Sequence, residues 1–600
     1  MAAGLLVAAG TIAFSIVIAV SIAGGFTLDV GPLHVSAHRI LLPLVAGIVA
    51  YGLAGLVNRA RFRSALAALY SRIDSHALAL ALVLAAAAAG IGVAFGTYSA
   101  SAADGAGYVS QADLIARGHI SFRQPLIRRA TWPEAAWTFA PLGYRPGRQL
   151  DEIVPTYPPG LPLVMVVASA VAGDTGPFLV APFFGAVCVL VTYLLGARVH
   201  SRIAGVIAAA FMTTSPIWLF QIVQPMSDVP AASLWAVGLL AAISNAPVAA
   251  GLASSAAILM RPNLSLLGAS VLVVLLYSRS SPRAFSLRAH ATTLVAFGAA
   301  ASIGPLAIAA AQWRLYGNPL LSGHGTVSEL FAIGNIPTNV RDYTVRIFVG
   351  ETPAVVAAMA ALIVLVALRR RPLDSARGER ASPVSKPLLL LFAVVIPLLI
   401  GYLPYGVFPD WSYLRFLMPA FPVVFIVVGA VIVQACARIP GSVRGPLLVL
   451  ALVACCSADI VIARRYAAFD MYRYESRYRT AGRYLAAVLP RDAVIVTSQE
   501  SASAHYYTGL PIVRWDFLPN LDEAVSTLIA AGRHPVLLVE DWEEPAIRAR
   551  FPRSALAPLD WNARALFGTT TRVRFLDPAD REDPAAGQPR TAVRMQDRLP

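Results

Sequence analysis

The chain has 600 residues, of which 57% are hydrophobic and only 14% are charged, and it carries a net charge of +15. Soluble globular chains carry about 25% charged residues, so much of this chain faces lipid rather than water. Nucleic acid is excluded as the reason for the basic excess: Lys386 is the only lysine, the arginines sit in short clusters between apolar runs, and no basic stripe with interleaved aromatics occurs.

Apolar runs near or above the spanning length of about 20 residues begin at once. Met1-Ala2-Ala3-Gly4 leads into the first without a basic region, which predicts a membrane span rather than a cleaved signal peptide. Spans are predicted near 4–24, 39–57 and 76–96. The connector before the third carries Arg59, Arg61, Arg63 and Arg72. By the positive-inside rule that connector is cytoplasmic and the N-terminus starts inside. The third span then delivers a long polar loop, 96–160, to the outer face. Long loops in compact proteins are usually functional.

The apolar segment 161–172 is short for a span and reads as a helix lying in the outer leaflet, which extends the outer loop to about 97–176. Spans follow near 177–198, 204–222 and 229–244. The run 249–277 is too long for one straight span and is interrupted by Arg261-Pro262-Asn263; two short legs with Arg261 near the outer surface are expected. Spans near 290–311, 354–368, 387–405, 413–434 and 445–463 complete about 13. The short connectors with Arg279 and Arg283, with Arg369 to Lys386, and with Arg438 and Arg444 then all fall inside.

From about Arg464 charges and aromatics rise. Strands are predicted at 493–497 and 535–540, and helices at 521–531 and 545–550. Strands alternating with helices suggest a small α/β unit, here extracytoplasmic. Residues 577–600 are rich in Pro, Asp and Arg and read as a disordered tail. The expected fold is an α-helical polytopic membrane protein of about 13 transmembrane helices with a large outer loop. The transmembrane domain is 1–463, and a small C-terminal α/β extracytoplasmic domain is 464–576.

Two carboxylates come to the expected outer boundary. Asp104 opens a segment of helical spacing that ends at Gly118, with Tyr108 and Gln111 on the same face at i+4 and i+7. Asp228 ends an outward-running span. Helix capping accounts equally well for either aspartate, although acidic groups near membrane depth default to functional hypotheses. Arg261 interrupts one apolar run and Arg415 begins another. A guanidinium suits bidentate phosphate binding; snorkelling at the interface is the alternative. No His-Glu-x-x-His, Cys-x-x-Cys, Walker or dinucleotide glycine pattern occurs. Two outer carboxylates make a divalent cation a possible ligand, and nothing in the sequence fixes one.

The order of motifs is informative. Asp104-Gly105-Ala106-Gly107-Tyr108 opens the loop and Tyr157-Pro158-Pro159-Gly160 closes it. Ser227-Asp228, Arg261-Pro262-Asn263 and Tyr413-Leu414-Arg415 follow. This arrangement, over roughly residues 76–435, resembles the GT-C superfamily of polytopic glycosyltransferases: protein O-mannosyltransferases, lipid A aminoarabinose transferases and oligosaccharyltransferases. That family often has Asp-Glu at the first motif; here Gly105 follows Asp104. The resemblance implies a polyprenyl-phosphate-linked sugar as donor, an acceptor glycan, lipid or protein, and catalysis at the outer face of the cell membrane. It implies Asp104 as general base and Asp228 in support, either through a metal or by orienting the acceptor. Tyr108, Gln111, Tyr157, Arg261, Asn263 and Arg415 are the implied substrate-binding residues. The competing readings are a transporter or flippase of a lipid-linked or small solute, and a non-catalytic scaffold. A transporter more naturally shows paired interrupted helices and internal repetition, and Arg261 marks the one interruption.

Overall fold

The structure, a computed structural model, describes residues 2–23, 26–30, 33–37, 41–57, 70–279, 287–351, 355, 385–437, 441–551, 564–565 and 573–576. The connector arginines 59–63, the span near 354–368, the basic stretch that begins at Arg369 and the tail 577–600 lie outside the described residues.

Helices occupy the predicted apolar runs: Ala2–Ala23, Leu41–Val57, Ala77–Ala94, Gly176–Val199, Asp228–Ile243, Leu287–Tyr316, Ser385–Tyr402, Phe421–Ala437 and Gly441–Arg465. Among the described residues, fewer helices are long and apolar enough to cross a membrane than the 13 expected of the whole chain, part of which lies outside those residues. Four of the described stretches are, Ala77–Ala94, Gly160–Val199 (of which Gly160–Ala172 is a separate helix folded against the rest), His290–Tyr316 and Trp411–Ala435, and a bent pair makes a fifth if its two helices are one span. Asp228–Ile243 and Pro247–Met260 are shorter apolar helices.

The bent pair corrects the straight span placed at 204–222. Arg202–Thr214 and Pro216–Ile222 meet at 60° across Ser215, because Pro216 has no N–H to continue the ladder and starts a new helix at its first position. The segment 161–172 is a separate helix, Gly160–Ala172. It doubles back on Gly176–Val199: a Cβ on Gly176 would lie 2.3 Å from the Ala168 carbonyl oxygen. The helices Gly176–Val199 and Arg202–Thr214 touch backbone to backbone, since a Cβ on Gly196 would lie 2.7 Å from Gly205 Cα. Small residues permit such close crossings in lipid. The run 249–277 divides as expected into Pro247–Met260, a turn through Pro262–Leu264, and Leu267–Arg279.

The long loop is built, not open. It contains the helix Asp104–Ala116 and a three-stranded antiparallel sheet in which Glu152–Pro155 lies between Phe122–Arg123 and Tyr144–Pro146. Near the C-terminus, Ile512–Val513, Ala493–Val496 and His534–Glu540 pair in parallel. Val573–Leu576 and Arg564–Ala565 add antiparallel strands. The two sheets share one core: Leu126, Trp132, Phe139 and Ile153 pack with Val494, Val513, Leu537 and Val539. The C-terminal sheet therefore sits on the loop.

Candidate active site

Asp104 is the first residue of its helix, the N-cap position is Ala103, and no side chain caps the helix. The Asp104 carboxylate instead accepts from Tyr157 Oη at 2.5 Å on Oδ1 and from Arg415 Nη2 at 2.9 Å on Oδ2. Asp228 opens its helix in the same way, after Ser227, without a capping bond from that side chain. Arg261 Nη1 donates to Asp228 Oδ1, and Arg415 Nη1 lies 4.0 Å from Asp228 Oδ2. The result is a chain of alternating charge, Asp104–Arg415–Asp228–Arg261, in which both carboxylates engage arginine.

Local sequence explains each position. Arg261 is held extended at the end of Pro247–Met260 (φ −145°, ψ 92°), because Pro262 disfavours helical backbone at the residue before it. Arg415 projects from the 3₁₀ helix Trp411–Ala420. The Phe416 ring serves both guanidinium groups, 5.4 Å from Arg261 and 5.5 Å from Arg415, and Tyr413 lies 5.0 Å from Arg415. Asp228 and both arginine side chains are nearly buried. Burial makes pairing obligatory, since an isolated charge removed from water costs several kcal/mol.

These groups line a cavity of about 370 Å³ with Tyr108, Tyr157, Ser227, Asn263, His324, Tyr405 and Phe408. Tyr108 Oη and Ser227 Oγ share a hydrogen bond at 2.9 Å, and Asn263 Nδ2 donates to Tyr402 Oη at 3.0 Å. Seven of the eight residues singled out from the sequence thus meet at one cavity. Gln111 does not. It is buried but absent from the lining, because i+7 keeps the helix face but moves about 10 Å along the axis.

His324 and the rings of Tyr405, Phe408 and Phe416 belong to the site without having been singled out. His324 stands edge-on to Tyr157, with ring centroids 5.3 Å apart. A lone histidine in a loop has no periodic partner to announce it. The aromatic run from Phe408 to Phe416 was the available signal for the rings.

Burial pushes the Asp104 carboxyl up, but the Arg415 charge and the hydrogen bonds from Tyr157 and Arg415 outweigh it and hold the group below its ordinary value. Burial also pushes the Tyr157 hydroxyl up, and the Asp104 charge adds to this. Burial pulls His324 down, with the Asp104 charge opposing, so its imidazole is neutral at neutral pH.

A divalent cation fits these residues poorly. Both oxygens of Asp104 already accept hydrogen bonds, and both carboxylates face arginine. Among the described residues no three His, Cys, Asp or Glu side chains group as a metal site.

Residues 121–231 match the family model of the oligosaccharyl transferase STT3, N-terminal. Oligosaccharyltransferases are among the GT-C enzymes that the motif order resembles. The matched stretch includes Tyr157 and Asp228, while Asp104, Arg261 and Arg415 flank it. Solved structures with similarity include ArnT from Cupriavidus metallidurans in the apo state, at 13% identity and a TM-score of 0.47, covering 84% of this chain and 98% of that one. The same protein bound to undecaprenyl phosphate follows at 14% identity and 0.46, covering 82% and 97%. The Archaeoglobus fulgidus oligosaccharyltransferase tethered with an acceptor peptide is similar at 13% and 0.46, covering 84% and 74%. No curated protein matches this sequence.

Proposed function

We propose that this chain is a membrane glycosyltransferase that moves a sugar from a polyprenyl-phosphate donor to an acceptor hydroxyl at the outer face of the membrane. The observation that carries this reading is the convergence of Asp104, Arg415, Asp228 and Arg261 on one cavity from stretches up to 311 residues apart. The STT3 match supports the same class.

The chemistry follows from the charges. The donor phosphate takes the Arg415 hydrogen bond that Asp104 holds in the resting site, while Arg261 stays paired with Asp228. Asp104, released from Arg415, accepts the proton of the acceptor hydroxyl. The acceptor oxygen bonds to the anomeric carbon as the bond from that carbon to the phosphate oxygen breaks. The leaving phosphate gains a negative charge, which Arg415 and Arg261 stabilise in a water-poor site. One displacement inverts the anomeric centre, and no paired carboxylates of the glycosidase kind are needed. Asp228 keeps Arg261 and Arg415 aligned. Tyr157 holds Asp104 in orientation, while Tyr108 and Asn263 shape the polar wall. The transmembrane bundle and the C-terminal unit, 464–576, divide these tasks: the bundle presents the donor and the C-terminal unit covers the loop.

The test is transfer of radiolabelled sugar from a polyprenyl-phosphate donor in membranes containing the full chain. Transfer that disappears in Asp104→Asn at normal expression supports the assignment. Full activity in that variant rejects Asp104 as base, and transport of the donor without transfer replaces the enzyme reading with a transporter.

A further inference from the structure

The backbone that leads into Asp104 is held by residues from the far end of the chain. Between the helices Ala77–Ala94 and Asp104–Ala116, the segment 97–103 contains two left-handed residues that are not glycine, Tyr98 (φ 44°) and Ala102 (φ 49°). Such conformations persist only where the surroundings over-determine them.

Here the surroundings are the helices Met471–Val488 and Ser501–Thr508. Tyr507 Oη accepts the Ala100 N–H at 2.9 Å, and Arg479 Nη1 donates to the Tyr98 carbonyl at 3.2 Å. The Glu475 carboxylate, one turn before Arg479, faces the Ser101 hydroxyl. Gly482 makes the Tyr507 contact possible, because a Cβ there would lie 2.6 Å from the Tyr507 side chain. Ala100 is fully buried, so its N–H depends on that phenol oxygen. On the other side, the Ala106 N–H donates to the Ser101 carbonyl at 2.9 Å and the Gly107 N–H to the Ala103 carbonyl at 3.0 Å. Hydrogen bonds from the C-terminal helices thus hold the backbone at 98–100, and the next residues, Ser101 and Ala103, accept from the first turn of the Asp104 helix. Neither Tyr507 nor Arg479 lines the cavity.

We propose that Tyr507 and Arg479 are positioning residues for Asp104: the C-terminal helices clamp the strained segment 98–102 and thereby fix the carboxylate between Tyr157 and Arg415. The proposal rests on the reading of Asp104 as the general base. The C-terminal unit is then a working part of the active site rather than a separate appendage.

The test uses the full chain in detergent or lipid discs, with Tyr507→Phe and Gly482→Ala made separately. Tyr507→Phe removes the acceptor of the Ala100 N–H, and Gly482→Ala displaces the ring. If either variant fails to fold, Arg479→Gln takes its place. Amide exchange of the peptide 97–106 is measured beside that of the strand 493–496, together with kcat, donor KM and the pH profile of transfer. Exchange in 97–106 should rise while the strand is unchanged. The rate constant kcat should fall on the order of 10- to 100-fold, as for a small misplacement of a reacting group, with donor KM within about threefold. The acidic limb of the profile should move, because Asp104 changes its relation to Arg415 and Tyr157, the groups that face it with His324 and Tyr108.

Unchanged exchange, or faster exchange with unchanged kcat, overturns the proposal. So does a fall in kcat without movement of the acidic limb, which marks a merely structural role. Absence of transfer by the wild type rejects the proposed chemistry instead, while the exchange result still decides whether the segment is clamped.

Discussion

Under the proposed reaction, Asp104→Asn moves catalysis and donor binding in opposite directions. The substitution keeps the shape of the side chain and removes its charge, so Tyr157 keeps a hydrogen-bond partner while Arg415 loses an anion 2.9 Å away. Loss of a general base lowers kcat by about 10²- to 10⁴-fold, or roughly 3–5 kcal/mol of transition-state stabilisation. Donor binding should improve, since Asp104 and the donor phosphate compete for the same guanidinium. At an effective dielectric of about 20, charges about 4 Å apart attract by ~4 kcal/mol. The Asp104 side chain is 32% exposed, so water screens much of that attraction, leaving about 1–2 kcal/mol. Freeing Arg415 of this partner tightens the donor by roughly 5- to 30-fold. The assay is steady-state transfer with varied donor, together with direct titration of polyprenyl phosphate. With chemistry this slow, KM reports donor affinity. A variant with kcat within about threefold of wild type, or with weakened donor binding, refutes the exchange of partners at Arg415.

Three further outcomes follow from the same geometry. The folded Asp104 carboxyl lies below its unfolded value, so its base function and its contribution to stability are present above the ordinary aspartate range and lost only as pH falls through the lowered value. Under the proposed reaction kcat/KM for the donor, which reports the free enzyme, should therefore hold on the acid side to below the ordinary aspartate range; in Arg415→Gln burial is no longer opposed by that charge, and the kcat/KM profile should show the acidic limb displaced upward. EDTA should leave transfer within about twofold of the untreated rate, since arginine rather than metal neutralises both carboxylates; a loss restored by Mg²⁺ or Mn²⁺ refutes this. Gly107→Ala places a Cβ 2.3 Å from the Tyr157 ring, which should cost about 1–3 kcal/mol in overpacking and lower kcat by pushing Tyr157 off Asp104, as read by thermal unfolding and transfer rate together.

The apolar helices were legible because a segment suited to lipid must satisfy its own backbone and present apolar side chains along its length. The same physics made Arg261 conspicuous, since a guanidinium and a proline interrupt an otherwise apolar run. Capping and function could not be separated for Asp104 or Asp228, because both uses put aspartate at a helix start. Only the partners decide, and these lie 311 and 33 residues away. The i+7 spacing placed Gln111 on the correct face but gave no weight to distance along the axis. The packing of the C-terminal sheet on Leu126, Trp132 and Phe139 left no local trace either. A strand pattern states which residues are apolar, not which distant residues cover them.

The alternating chain also explains how so much charge is tolerated beside apolar helices. Two arginines and two aspartates sum to zero, and each nearly buried member has a counter-ion in contact or at 4.0 Å. An unpaired arginine pair in this cavity would carry a desolvation penalty of several kcal/mol per ion; an unpaired aspartate pair would be driven to protonate at rest and would no longer be free to accept a proton. In the proposed reaction an anionic donor shifts the same balance, by offering phosphate oxygens to Arg415 at the moment Asp104 is needed as the base. Asp104 is a weak base while Arg415 holds it, and becomes a stronger one when the phosphate takes Arg415 away. On the proposed function basicity is thereby tied to occupancy of the donor site: Asp104 stays unprotonated at rest and gains basicity only when a sugar donor is bound.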